Sequence, residues 1–117
     1  MKTEIYVDGS GGNNSGYGYY VKSTGDTFYE KKPGITNNDA EYMAIISALE
    51  KFHGVDNLVI YSDSKNTIYQ LNHDYAINAP NLRLLAQKAW SLIATCKNIE
   101  LKWIPRKENL AGKMLGS

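Results

Sequence analysis

The chain has 117 residues, 43% of them hydrophobic and 21% charged, with a formal net charge of +1. This length predicts a single domain over residues 1–117. The composition excludes a disordered or fibrous protein, and the near-neutral charge argues against nucleic-acid binding through general basicity alone. The charge is unevenly divided, however, because residues 1–82 carry a net −4 and residues 83–117 a net +5.

Cellular location is constrained by the single cysteine and by the N-terminus. Cys96 has no second cysteine with which to form an internal disulfide, and residues 1–4 lack the apolar run of a secretion signal. No stretch approaches the roughly 18 apolar residues that span a bilayer. We therefore expect a protein of the reducing cytoplasm with no membrane function, and nothing in the sequence implies a protein partner.

Three strands are predicted at the start of the chain. Residues 3–7, 16–22 and 27–31 are rich in β-branched and aromatic side chains. The intervening segments, residues 8–14 and 23–26, consist mostly of turn formers. Together they predict an antiparallel meander of three strands.

After residue 34 the spacing of apolar residues changes. They now recur every three or four residues, which is typical of an amphipathic helix. The apolar positions are Tyr42, Ile45, Ile46, Leu49 and Phe52. Asn38 or Asp39 is the predicted N-terminal cap of this helix, and Gly54 the predicted end.

The second half of the chain alternates strands with helices. The apolar run at residues 58–61 predicts a strand buried on both faces, as in a parallel arrangement, and a short helix follows it. Residues 80–96 predict a longer helix, residues 99–103 a fifth strand, and residues 108–115 a last helical segment. The predicted class is α/β, with a mixed sheet of three antiparallel and two parallel strands flanked by helices.

Three carboxylates are candidates for a shared site. Asp8 and Asp63 each follow a predicted parallel strand, and open α/β sheets place their sites at that carboxyl edge. Each aspartate alone is equally typical of a turn or a helix start. Glu41 suits the positive end of the first helix, but it also borders the apolar stripe and can face the sheet.

Three carboxylates at one edge repel one another unless a cation lies between them, and hard oxygen ligands favour Mg²⁺ or Mn²⁺. The chemistry implied is phosphoryl transfer assisted by two metal ions. One ion activates the attacking water, and the other stabilises the leaving oxygen.

Four segments of the chain resemble, in order, the motifs of the type 1 ribonucleases H, in their compact archaeal-like branch. YVDGS at residues 6–10 is similar to the first-strand motif, TNNDAEY at 36–42 to the helix motif, and YSDS at 61–64 to the third motif. WIPRKENLA at 103–111 is similar to the segment from the last strand to the last helix. The resemblance runs from about residue 3 to 112 and implies a ribonuclease H-like fold.

The resemblance also implies a ligand set. Asp8, Glu41 and Asp63 correspond to metal ligands and catalytic residues for two Mg²⁺ or Mn²⁺ ions. A fourth carboxylate is expected after Ala111, where this chain has Gly112. Its loss weakens the ion that activates water, so we expect reduced activity, activity favouring Mn²⁺, or none.

Asn109 precedes this position by three residues on the same helical face. It could act as a poor substitute ligand or cap the last helix, and the cap is the favoured interpretation.

Residues that resemble the family's nucleic-acid contacts lie in the first loop, before the first helix and near the last one. They are Gly9, Ser10, Gly11, Asn13, Asn14, Thr36, Asn37, Asn38 and Arg106. Glycines let a sugar-phosphate approach closely, and Asn and Thr can donate to phosphates and 2′-hydroxyls without reading sequence. Turn chemistry alone explains most of these residues equally well.

The resemblance implies an endonuclease that cleaves the RNA strand of an RNA/DNA hybrid and leaves a 3′-hydroxyl and a 5′-phosphate. Two alternatives stay open. One is a catalytically impaired module that still binds the duplex. The other is a related nuclease that acts on double-stranded RNA.

Overall fold

The computed structural model describes residues 2–115, with side chains as far as residue 112. Residues 1, 116 and 117 of the predicted single domain lie outside this part. The strands are β1 (Thr3–Ser10), β2 (Gly16–Val21), β3 (Thr27–Lys31), β4 (Asn57–Ser62) and β5 (Asn98–Trp103). The helices are α1 (Asn37–Phe52), α2 (Lys65–Leu71), α3 (Pro80–Ile93) and α4 (Leu110–Leu115), with a 3-10 turn at Arg106–Glu108.

The strands form one sheet in the order β3-β2-β1-β4-β5. β1 pairs antiparallel with β2, and β2 pairs antiparallel with β3. β1 pairs in parallel with β4, and β4 in parallel with β5. The predicted mixed α/β sheet is therefore confirmed, and β1 is the strand at which antiparallel pairing gives way to parallel pairing.

Helix α1 covers β1 and β2, and α3 packs against α1. The buried side of α1 carries Tyr42, Ile45 and Leu49, all fully buried, which confirms the predicted stripe. Leu58, Val59 and Ile60 of β4 are also buried, as expected for a strand covered on both faces. No helix in the part of the chain that the structure describes is long and apolar enough to span a bilayer.

The N-terminal cap of α1 differs from the prediction. Thr36 is the cap: its hydroxyl accepts from the backbone N–H of Asp39 at 3.1 Å, and the Asp39 carboxylate accepts from the Thr36 N–H at 3.4 Å. The prediction of Asn38 or Asp39 as cap was wrong, because this reciprocal pair satisfies two helix-end donors at once. Asp39 therefore belongs to the first turn rather than preceding it.

Three other boundaries of strands and helices also differ from those predicted from the sequence. Asp8 lies inside β1, which continues to Ser10, rather than after the strand. Helix α3 ends at Ile93, and residues 94–96 close it with short turns instead of extending it to Cys96. The single helical segment predicted at residues 108–115 is interrupted at Asn109, where the backbone is extended.

Candidate active site

The register of the parallel strands sets Asp8 beside Asp63. Tyr6 of β1 is the partner of Tyr61 of β4, and their rings stack with centroids 4.8 Å apart. Asp8 and Asp63 each follow this pair by two residues, which is one pleat repeat, so they reach the same height at the sheet edge. The predicted convergence of these two aspartates is confirmed.

Glu41 reaches the same place from α1. It is the fifth residue of the helix and therefore lies beyond the first turn, and it is 8% exposed. The helix dipole favours acidic side chains mainly within the first turn. Gly9 allows this approach, because a Cβ atom there would lie 2.8 Å from the backbone nitrogen of Glu41 and closer still to the Ala40 carbonyl group. The absent side chain at Gly9 thus lets β1 touch α1.

The carboxylates of Asp8, Glu41 and Asp63 form a cluster in which one oxygen from each lies within 4.8 Å of the others. Burial, with the charges of Asp8 and Asp63 acting in the same direction, raises the pKa of Glu41 to about 8. A hydrogen bond from the Gly9 amide and the charge of Arg106 act in the opposite direction and offset only part of the effect. Ionisation of Glu41 is therefore energetically unfavourable unless a positive charge lies close to it.

This cluster fits a divalent cation. Oε1 of Glu41 is buried and has no hydrogen-bond partner among the described residues, although buried polar atoms are nearly always satisfied. The donors are three carboxylates, the hard oxygen ligands that Mg²⁺ and Mn²⁺ prefer. A cation here would supply both the missing partner of Oε1 and the charge that the cluster lacks.

Asn109 is buried next to the cluster, with 1% of its surface exposed. Its Oδ1 accepts from the Ala111 N–H at 3.0 Å, which confirms the favoured interpretation of a helix cap. Its Nδ2 donates to Oδ2 of Asp63 at 2.9 Å and to the Val7 carbonyl oxygen at 2.8 Å. Both ends of the amide are thus engaged, and a role of Asn109 as a substitute metal ligand stays a prediction.

The two loops predicted to contact nucleic acid lie against each other. The backbone N–H of Gly11 donates to Oδ1 of Asn37 at 2.5 Å, and that of Gly12 donates to the Ile35 carbonyl oxygen at 3.1 Å. Asn13, Asn14 and Asn38 are exposed beside this junction. The loops therefore form one surface, on which Asn37 is exposed as well.

Of the other residues predicted for that surface, all but Arg106 have structural roles or limited exposure. A Cβ at Gly11 would lie 2.7 Å from the Ile35 carbonyl oxygen, so this glycine serves contact between the loops, as Gly9 serves contact with α1. The Thr36 hydroxyl is the α1 cap. Ser10 is half-buried, whereas Arg106 is exposed at the start of the 3-10 turn.

Gly112 is half-buried and is the third residue of α4, which contacts β1 and β2. Whether it stands where relatives carry a fourth carboxylate stays a prediction. The helix itself begins beside the cluster, because its cap residue is hydrogen-bonded to Asp63.

The neighbours that hold the cluster in place were not predicted from the sequence. Trp103, the last residue of the predicted fifth strand, is 40% exposed, and its Nε1 donates to the backbone oxygen of Asp63 at 3.1 Å. The bond from Asn109 to Asp63 was missed as well. Neither contact can be predicted from a local sequence pattern, because 40 and 46 residues separate the partners.

The fold and the carboxylate cluster together define a ribonuclease H-like domain. The sequence model of the family described as reverse transcriptase-like matches residues 22–116. The chain belongs to this ribonuclease H-like family, within which it resembles the type 1 ribonucleases H.

Two curated relatives show the extent of the sequence match. The bifunctional protein Rv2228c of Mycobacterium tuberculosis is 30% identical over 119 residues, covering 93% of this chain and 33% of that protein. The ribonuclease HI of Halobacterium salinarum is 31% identical over 121 residues, covering 92% of this chain and 59% of that protein. The chain thus spans between a third and three-fifths of the length of these relatives.

Solved structures give the same result in three dimensions. The ribonuclease H1 of Halobacterium salinarum superposes with a TM-score of 0.87 at 28% identity, covering 98% of this chain and 94% of that one. LC11-RNase H1, isolated from compost by a metagenomic approach, was solved in complex with an RNA/DNA hybrid. It superposes with a TM-score of 0.85 at 26% identity, covering 97% of this chain and 92% of that one.

Proposed function

We propose that this domain is a divalent-metal-dependent endonuclease that hydrolyses the RNA strand of RNA/DNA hybrids, leaving a 3′-hydroxyl and a 5′-phosphate. The observation that carries the proposal is the cluster of Asp8, Glu41 and Asp63, in which a buried carboxylate oxygen of Glu41 lacks a partner among the described residues. The reaction is supported by the likeness to ribonucleases H, one of which was solved with such a hybrid.

The three carboxylates would hold two Mg²⁺ or Mn²⁺ ions. When bound, such ions lower the pKa of the attacking water and stabilise the leaving oxygen. Asp8 supplies an acceptor at the sheet edge, where it can orient the attacking water in line with the scissile phosphate. Asn109 fixes the Asp63 carboxylate through its Nδ2, and α1 fixes Glu41 through its packing on β1.

The substrate surface in this proposal is the junction of the two loops. Exposed Asn13, Asn14 and Asn38 offer amide donors to phosphates and to 2′-hydroxyl groups. Such contacts recognise the shape of an A-like duplex and carry no sequence information. Exposed Arg106 adds a cation on the side of the cluster where it already lowers the pKa of Glu41.

We further propose that the activity is reduced or favours Mn²⁺, because Gly112 supplies no fourth carboxylate. This same feature favours a second candidate function, a module that binds the hybrid and does not cleave it.

The decisive experiment incubates a labelled RNA/DNA hybrid with the protein and Mg²⁺, and separately with Mn²⁺, alongside double-stranded RNA of the same sequence. We expect cleavage of the RNA strand of the hybrid, with none by the Asp8→Asn variant. Binding without cleavage in either metal, at high protein concentration, would establish the binding module instead. Cleavage of double-stranded RNA in preference to the hybrid would reassign the substrate.

A further inference from the structure

A strip of aromatic and basic side chains leads from the carboxylate cluster to the loop between α2 and α3. It consists of Trp103, Lys65, Tyr69, Tyr75 and Arg83. Trp103 touches the cluster through the hydrogen bond from its Nε1 to the backbone oxygen of Asp63, at 3.1 Å. The Nζ of Lys65 lies 5.6 Å from the centroid of the Trp103 ring and 5.7 Å from that of Tyr69.

The strip continues from Tyr69 to Tyr75, whose rings meet edge to face with centroids 5.0 Å apart. Tyr75 in turn lines a cleft of about 440 Å³ together with Arg83, Gln87 and Trp90. The Nε of Arg83 donates to the Ile77 carbonyl oxygen at 2.6 Å, which anchors the guanidinium group at the cleft.

Two of the three aromatic residues of the strip are exposed, whereas Tyr69 between them is half-buried. Trp103 is 40% exposed and Tyr75 is 43% exposed, so both retain much apolar surface in water. Lys65 and Arg83 are exposed, and neither forms an ion pair with a described residue. Asp74 also lines the cleft and carries a negative charge. The strip is therefore net positive only because Lys65 and Arg83 together outweigh this carboxylate.

We propose that this strip binds an unpaired, single-stranded stretch of nucleic acid that continues from the duplex held at the carboxylate cluster. In the interior of a duplex the base faces are covered by neighbouring bases, so exposed aromatic rings that lie beside a strand stack on unpaired bases. Lys65 and Arg83 supply the positive charges that can contact the phosphates of that strand. The inference rests on the proposed function, because it assumes a duplex at the cluster.

The test compares hybrids that share one paired core. One is blunt, and the others carry an extension of about six unpaired thymidines on either strand, a length within the range that single-strand sites cover. Binding is measured with Mg²⁺ in the Asp8→Asn background, where cleavage is not expected. We expect one extended hybrid to bind roughly tenfold more tightly than the blunt one, since base stacking of this kind contributes at that scale.

The variants Tyr75→Leu and Lys65→Gln should each reduce this preference, and Trp103→Phe should retain most of it because a ring remains. Tyr75→Leu is the key variant, since Trp103 also touches Asp63. Tyr29→Leu is the matched control: Tyr29 is 48% exposed on β3, at the opposite edge of the sheet from β5. It should leave the preference unchanged.

The outcomes separate the two proposals. Equal binding of blunt and extended hybrids, or a preference that Tyr75→Leu does not alter, overturns the strip as a single-strand site even if the wild-type protein cleaves the hybrid. A preference that Tyr75→Leu reduces supports the strip even if no hybrid is cleaved in either metal. A preference that Tyr29→Leu reduces equally would show a nonspecific aromatic effect and would also overturn the proposal.

Discussion

The side-chain amide of Asn109 donates to Oδ2 of Asp63 at 2.9 Å and links two segments that are 46 residues apart in sequence. The same amide also binds the Val7 carbonyl oxygen of β1 and caps α4 through Ala111. One buried side chain therefore joins β1, the end of β4 and the last helix around the carboxylate cluster. Asn109 is a positioning residue for Asp63.

We expect Asn109→Ala to destabilise the domain by about 2 to 4 kcal/mol, from a lost helix cap and an unpaired buried carbonyl. It should also weaken Mn²⁺ binding, because Asp63 loses the donor that orients it. Urea unfolding and calorimetric titration measure the two effects. Asn78→Ala, in the exposed loop before α3, is the control and should change neither. Undiminished Mn²⁺ affinity in Asn109→Ala would limit Asn109 to a structural role.

The stability of the metal-free domain should fall as the pH rises, because burial raises the pKa of Glu41 to about 8 from an ordinary value of 4.5. Between these two values the folded state holds the Glu41 proton and the unfolded state does not. The free energy of unfolding therefore falls in this window, by up to about 1.4 kcal/mol per pH unit. Urea unfolding with a chelator, at several pH values in the window, measures this slope.

Glu41→Gln supplies the control for that slope, because glutamine fits the same place without ionising. The variant should be more stable than the wild type at high pH without metal, and it should gain less stability from Mg²⁺ or Mn²⁺. If wild type and Glu41→Gln lost stability in parallel across the window, the slope would have to come from other groups.

The substitution Gly9→Ala should disrupt the site, although it adds only one methyl group. Its Cβ would lie 2.8 Å from the backbone nitrogen of Glu41, so β1 and α1 must separate. We expect a loss of about 1 to 3 kcal/mol in stability and weaker metal binding. Gly25→Ala is the matched control: Gly25 has a φ of +78° and open space around it, so alanine strains the turn there without reaching the cluster. Only Gly9→Ala should lower metal affinity.

Restoring a carboxylate in α4 should raise activity. Positions 112 and 113 are the third and fourth residues of α4, whose cap residue Asn109 is hydrogen-bonded to Asp63. We expect Gly112→Asp or Lys113→Asp to increase the cleavage rate with Mg²⁺ roughly tenfold, which corresponds to about 1.4 kcal/mol of transition-state stabilisation. Comparing the rates with Mg²⁺ and Mn²⁺ checks this. If neither variant gains activity, the missing carboxylate does not limit the reaction.

Much of this site could be predicted because parallel strands obey a simple rule. Their carboxyl ends meet at one edge, so Asp8 and Asp63 could be paired from two short apolar runs. Glu41 could be added from its place beside the stripe of α1. The cap at Thr36 was missed because several residues before the helix can serve as caps, and the choice depends on which side chain reaches Asp39.

The sequence by itself determined the order of the elements along the chain, the mixed α/β class, the helical stripe, the three carboxylates and the resemblance to ribonucleases H, because these follow from local periodicity and from motifs of adjacent residues. Only the tertiary structure decided what surrounds the carboxylates. Asn109 and Trp103 reach Asp63 across 46 and 40 residues. Gly9 is needed because a side chain at this position would clash with the backbone of α1. Burial and neighbouring charge set the pKa of Glu41, and both are properties of the folded chain.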